Sequence, residues 1–160
     1  MKKLIDDFSF AGLDVGADFV KLVQADMSKG SGEITAAACE KVELEENAED
    51  TQTAFARAIS KCFSSSGIST RNVIAGLSGQ DTIIREFNLG KLPKEQLESA
   101  ISFEAKQTCP FDISKGTVDH QLYDITDKDG RVSGLLAAAT NESIFNMTSL
   151  IEKGGGKCIL

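Results

Sequence analysis

The stretch GLDVGADFVKLVQ, residues 12–24, decides how the rest of the chain reads. Leu13 and Val15 make one short apolar run, and Val20, Leu22 and Val23 make another. Between them stands Gly16-Ala17-Asp18-Phe19, a glycine followed by turn-tolerant residues, so the stretch reads as strand, tight turn, strand. Asp14 closes the first strand and Lys21 enters the second. A glycine at such a bend lets backbone N–H groups approach a ligand, because no Cβ intervenes. Successive turn amides can form a nest for an anion such as a phosphate. A nearby carboxylate can hold a metal ion or its water shell, and a lysine meets phosphate as a point charge. The same residues also describe an ordinary hairpin that binds nothing, and both readings stand at this level.

Outward from the hairpin, residues 20–26 continue the second strand. Lys29-Gly30-Ser31-Gly32 turns the chain, and residues 33–44 give a third strand. Short turns between the three predict an antiparallel meander. An acidic loop, residues 45–50, leads to a helix over 51–66, where Phe55, Ala58, Ile59, Cys62 and Phe63 recur at helical spacing. Gly67 is its expected stop, and residues 73–77 are a short buried strand. The first half is thus β-β-β-α-β.

Ser78-Gly79-Gln80-Asp81 marks a boundary, after which the pattern restarts. TIIREFNL, residues 82–89, is a strand, and Pro93 suits the first position of a helix. Leu97, Ala100, Ile101, Ala105 and Thr108 form that helix's inward stripe, and Pro110 stops it. Residues 111–116 link to strands at 117–126 and 131–140, joined at Asp127-Lys128-Asp129-Gly130. A helix over 141–153 ends at Gly154-Gly155-Gly156. The second half reads β-α-β-β-α, which places the domains at 8–80 and 81–157.

Composition narrows the function classes. The 160 residues suffice for one sizeable core or two small ones. A net charge of −7 with no basic cluster argues against nucleic acid as partner. No stretch approaches the ~20 apolar residues of a membrane span, and Asp6 and Asp7 interrupt the N-terminus where a signal peptide needs an apolar run. Cys39, Cys62, Cys109 and Cys158 are scattered without C-x-x-C spacing, so they read as free thiols and not as a zinc site or disulfide frame. The expectation is a cytoplasmic domain.

Order and wording together resemble the PilM-type proteins of type IV pilus assembly, relatives of the division protein FtsA in the actin-like ATPase superfamily. The residues that carry the resemblance are GLDVGADFVKLVQ, then TIIREFNLGKLPKEQLESAISFEAKQTCPFDI, then VSGLLAAATNESI and LIEKGG. The resemblance implies an α/β fold: an actin-like (ribonuclease-H-like) N-terminal subdomain, residues 8–80, with an inserted β-α-β-β-α subdomain, residues 81–157, as in FtsA and PilM. Residues 158–160 would begin the strand returning to the actin-like core. Because the family's chains are about twice this length, the sequence is expected to be a truncated N-terminal half.

The D-x-G-x-x-x-x-K pattern from Asp14 to Lys21 resembles the first phosphate loop of actin-like ATPases, which implies ATP and Mg as cofactors held by Asp14, Gly16, Ala17, Asp18 and Lys21. This copy departs from the family in lacking a hydroxyl: Ala17 stands where Ser or Thr is usual, and Asp18 adds a negative charge. The second phosphate loop lies in the family's other half, so the site is incomplete here. No catalytic base can be nominated, which favours an assembly protein over an enzyme.

Glu104 falls inside the apolar stripe of the second helix. A carboxylate there needs a partner or a shifted pKa, and Arg85 on the preceding strand is the candidate. The pair is either structural or a polar anchor in a groove between the two halves. The resemblance implies that such a groove holds the N-terminal peptide of a PilN-like membrane protein, with Phe103 and Phe111 as apolar wall or as plain core. It also implies other pilus platform and motor proteins as partners, contact with the membrane only through partners, and a place peripheral to the inner membrane. His120 reads as a surface or edge residue. The residues around 127–130 fail the calcium-loop pattern, Gly154 to Lys157 lacks the Walker residues, and the sequons at Asn141 and Asn146 carry no weight in a cytoplasmic chain. An FtsA-like division protein and a kinase of the sugar-kinase superfamily are the alternatives to pilus assembly.

Overall fold

The computed structural model describes residues 10–26, 32–44, 50–123 and 131–159. Eight strands and three α-helices among these give a mixed α/β fold with two separate sheets. The chain divides into two compact units: one reaches to Gly76 and resumes at Asn146, and the other is Leu77–Phe145.

In the first unit β1 (Ala11–Val15), β2 (Phe19–Asp26) and β3 (Glu33–Lys41) form the antiparallel meander. The helix α1 (Thr51–Ser65) follows, then β4 (Asn72–Ala75), which pairs parallel to β1. The sheet order is β3-β2-β1-β4-β8, with the short β8 (Lys157–Cys158) parallel to β4 at its edge. The Lys157 amide donates to Arg71 O at 2.7 Å and the Ile159 amide to Val73 O at 2.9 Å.

Alternation along the strands decides which face is apolar. Ala11 and Leu13 of β1, Val20 and Leu22 of β2 and Val73 of β4 are buried together with Ala58, Ile59, Cys62 and Phe63 of α1. Each fully buried Leu, Ile or Val contributes about 1.5–3 kcal/mol relative to exposure. Asp50 caps α1 by accepting from the Gln52 amide at 3.3 Å. Gly67, at φ 71°, takes the left-handed conformation that ends helices, one residue after Ser66 closes the last turn on Cys62 O.

The second unit is built on β5 (Thr82–Leu89), α2 (Lys94–Thr108), β6 (Gly116–Leu122) and β7 (Val132–Thr140). Its sheet is antiparallel in the order β5-β7-β6. Ile101 and Ala105 of α2 pack with Ile83, Phe87, Leu136 and Ala138 of the sheet. Pro93 lies one residue earlier than expected, as the N-cap of α2 (φ −59°, ψ 145°), and its carbonyl accepts from the Gln96 amide at 3.0 Å.

The last helix is α3 (Asn141–Lys153). It starts in the second unit but finishes in the first, where Met147, Leu150 and the fully buried Ile151 join the α1 core. A Cβ on Gly154 would lie 2.5 Å from Ile59 Cγ2, so only glycine lets the end of α3 come this close to α1. The second unit thus contains β5, α2, β6, β7 and the start of α3. The turn residues 29–31, the acidic residues 45–49, the hairpin at 127–130 with the strand end 124–126, and Leu160 lie outside the described residues.

Candidate functional site

The β1–β2 connection brings Asp14, Gly16, Ala17, Asp18 and Lys21, the five residues expected at a nucleotide, onto one hairpin. Val15 faces Val20 in the ladder, which sets Asp14 opposite Lys21. Lys21 Nζ lies 2.9 Å from Asp14 Oδ2, with both side chains more than half exposed. The Asp14 carboxylate, first by its hydrogen bond and then by its charge, raises the Lys21 pKa. At the bend the Gly16 amide donates to Phe19 O at 2.9 Å, and a Cβ on Gly16 would sit 3.1 Å from that oxygen. The amide expected to be free for a ligand is thus part of the turn itself. The Val42 amide donates to Asp18 O at 2.8 Å, fixing the other side of the turn to the chain beyond β3.

Ala17 and Asp18 are exposed, and among the described residues no hydrogen bond takes their amides. These two N–H groups and the Lys21 ammonium are the features that fit a phosphate. Two carboxylates against one ammonium leave the hairpin with a net negative charge, so an anion alone meets repulsion here. A magnesium ion, which binds through one or two carboxylates plus phosphate oxygens, would supply the missing positive charge. Among the described residues no cluster of three or more metal-ligating side chains exists.

The partner residues separate. Arg85 and Glu104 form no ion pair; Arg85 is exposed and its Nη1 donates to the carbonyl of its own neighbour Ile84 at 3.2 Å. Glu104 is half-buried on α2, where the helix stripe narrows to Leu97, Ile101 and Ala105, so the carboxylate keeps access to water without a cationic partner. Phe111 packs on the second core, its ring 2.9 Å from where a Cβ on Gly116 would be. Phe103 points the other way and is 62% exposed. The two phenylalanines line adjacent shallow depressions that share Lys106.

Asp112 beside Phe111 accepts from the Ser114 amide at 2.9 Å, and that backbone hydrogen bond lowers its pKa. His120 lies on the edge strand β6, partly buried, with Nε2 3.8 Å from Glu98 Oε1. The sequence reading did not find the Tyr123 hydroxyl, which donates to Glu86 Oε1 at 2.9 Å across the sheet. Nothing local signals that pair, because it depends on the register of three strands. All four cysteines are free thiols, with Cys62 buried and donating to Val20 O at 3.5 Å.

A sequence model of the type IV pilus assembly protein PilM family matches residues 12–159. The chain belongs to the PilM family. A search of curated proteins found no match. Among solved structures, the fold of this PilM-family chain is similar to a chain of a PilM–PilN type IV pilus biogenesis complex, with a TM-score of 0.79 at 23% identity. The match covers 96% of this chain and 46% of that one. The cytoplasmic domain of EpsL, an inner membrane component of the type II secretion system of Vibrio cholerae, is also similar, with a TM-score of 0.61 at 11% identity over 95% of this chain and 56% of that one. The chain spans about half the length of the solved chains it matches. No helix among the described residues is long and apolar enough to cross a membrane.

Proposed function

We propose that this chain is the actin-like N-terminal part of a scaffold protein in the type IV pilus inner-membrane platform, and that it holds the N-terminal peptide of a PilN-like membrane protein. The observation that carries the reading is the fold shared over 96% of the chain with a protein solved as a PilM–PilN complex. Strand order β3-β2-β1-β4-β8, with an antiparallel meander followed by parallel β4 and β8, supports the ribonuclease-H-like assignment of the first unit. The second unit is then the FtsA/PilM-type insertion. The protein works in the cytoplasm, peripheral to the inner membrane, and reaches the membrane through its partners. Other platform and motor proteins assemble on it. It is not an enzyme.

In this reading Phe103, exposed on α2, and Lys106 beside it offer apolar and cationic contact to the peptide, with Glu104 and Arg85 as separate polar anchors. Phe111 supports the surface from beneath. ATP with Mg binds at Asp14, Gly16, Ala17, Asp18 and Lys21 together with residues from the other half of a full-length protein. Its role is to hold the halves closed.

Fluorescence anisotropy with a labelled N-terminal peptide of a PilN-like membrane protein tests the reading. Saturable binding that weakens in Glu104→Ala and Phe103→Ala is the expected result. Absence of binding at millimolar chain would sink it. The likeness to EpsL favours a second reading, a type II secretion platform. Deleting the gene separates them: loss of pili fits the first and loss of protein secretion with intact pili fits the second.

A further inference from the structure

β3 is an outer strand of the first unit's sheet. Two hydrogen bonds fix which of its backbone groups face outward. The Val42 amide donates to Asp18 O at 2.8 Å, and these two residues continue the pairing of Lys41 with Phe19. Bonded pairs alternate along an antiparallel ladder. Glu40, Ala38 and Ala36 therefore bond to β2, and Ala37, Cys39 and Lys41 turn their amides and carbonyls away from it. The bond from the Gly16 amide to Phe19 O gives the same phase, because it commits Phe19, Lys21 and Val23 of β2 to β1. Ala37, Cys39 and Lys41 are exposed, and among the described residues no hydrogen bond takes their backbone groups.

The other edges are closed in ways this stretch is not. β8 has two residues. The Asp119 carboxylate takes the His120 amide of β6 at 2.8 Å, and the Arg85 guanidinium covers the Ile84 carbonyl of β5 at 3.2 Å. On β3 the obstacles stand at the two ends. The register shift opposite Gln24 and Ala25 displaces Thr35 from the ladder, and Glu40 and Lys41 carry charge. Between them run Ala36, Ala37, Ala38 and Cys39, with no proline and no large side chain. Bulges and edge charges discourage pairing in most registers, and here they leave one open.

We propose that two copies of this chain pair through β3, antiparallel and two-fold symmetric about Cys39, joining their first sheets edge to edge. The inference is independent of the peptide and nucleotide readings above. In this register Ala37 faces Lys41 of the second copy, Ala38 faces Glu40, and Cys39 faces Cys39. Every outward residue of the regular stretch is then in a bonded pair that exchanges two hydrogen bonds. An axis through Glu40 or Lys41 would set like charges directly opposite, which is destabilising. An axis through Ala38 sends Lys41 to the displaced Thr35, and one through Ala37 sends Cys39 there, so both break the ladder. Only the axis through Cys39 avoids both faults. The same patch serves both copies, so the contact closes as a dimer and does not grow into a fibre.

Sedimentation equilibrium and a short bifunctional thiol reagent, both applied to the 160-residue chain, test this. A monomer–dimer equilibrium is expected, with Cys39 bridged to Cys39 and the bridge lost in Cys39→Ala. In the Cys39→Ala background, Ala37→Cys should not bridge, because the two copies of position 37 lie about 13 Å apart along the ladder. Ala37→Glu, opposite Lys41, should tighten the dimer about fivefold, and Ala37→Lys should weaken it about as much. Cys39→Pro removes an outward amide and leaves the bonds to β2 in place, so it should give monomer with the melting temperature of the dilute parent. If that variant unfolds, the two charge variants at position 37 still decide. No dimer at about 1 mM chain, a bridge at position 37, or equal dimerisation of Ala37→Glu and Ala37→Lys overturns the proposal.

Discussion

Asp14 and Lys21 face each other across the β1–β2 ladder, with Nζ 2.9 Å from Oδ2. The cation that would greet a phosphate is thus already held by a carboxylate, and Asp18 adds a second negative charge at the same tip. Binding an anion here means competing with Asp14 for Lys21, or bringing a metal ion that satisfies Asp14 instead.

ATP should therefore bind this hairpin only with magnesium. In a fluorescence titration of a full-length protein carrying this hairpin with a nucleotide analogue, chelating the magnesium should abolish binding. Lys21→Ala should weaken Mg·ATP about tenfold or more, the scale of one charge-assisted hydrogen bond. Because Lys21 is solvent-exposed, its loss should leave the melting temperature nearly unchanged. Equal affinity with and without magnesium would contradict the account.

Gly154→Ala should destabilise the first unit. The added methyl would meet Ile59 Cγ2 at 2.5 Å and Ile59 Cβ at 2.6 Å, both on the buried side of α1. Overpacking of this kind costs about 1–3 kcal/mol. A lower urea midpoint with an unchanged slope is the expected signature. Gly155→Ala meets nothing within 4 Å but must hold φ at 86°, so it reports backbone strain separately from packing.

Elements bounded by sharp local signals were legible in the sequence. Thr82–Leu89 and Asn141–Lys153 stand where the pattern placed them, because a glycine follows β5 after Leu89 and a glycine run follows Lys153. What was not legible was which core a helix face meets. Met147, Leu150 and Ile151 show only that α3 has an apolar side; that this side belongs with Ile59 and Phe63 depends on a chain separation no local pattern spans. The Arg85–Glu104 pairing failed for a related reason. Charge complementarity says two groups can meet, but not that a half-exposed carboxylate needs to. The Asp14–Lys21 pair was within reach, since setting Val15 opposite Val20 forces it.

Cys62 should be the least reactive of the thiols. Burial pushes its pKa up to about 11 from the ordinary 9.0, so the thiolate that attacks a disulfide reagent is scarce. At pH 8 a disulfide dye should label exposed Cys39 quickly and Cys62 only on unfolding. The raised value also sets a pH dependence. The native state keeps the Cys62 proton where the unfolded chain loses it, so this contribution to stability is complete below pH 9 and is lost as pH rises through about 11. Urea titrations of the chain and of Cys62→Ala across that range should show the variant less stable at pH 8 but with the shallower decline.

The two phenylalanines give the sharpest separation of scaffold from binding surface. Phe111 packs against the second core, whereas Phe103 on α2 is 62% exposed. Truncating a buried phenylalanine costs about 3–5 kcal/mol, and partial burial places Phe111→Ala at roughly the low end of that range. Phe103→Ala should stay within about 0.5 kcal/mol of the parent, as surface changes do. For the PilN-like peptide the order should invert. Phe103→Ala should weaken binding several-fold at unchanged stability. A Phe111→Leu variant, which keeps most of the packing volume, should bind nearly as well as the parent. Measuring unfolding and peptide anisotropy on the same protein samples resolves this, because a peptide site built on Phe111 would show the loss in Phe111→Leu and not in Phe103→Ala.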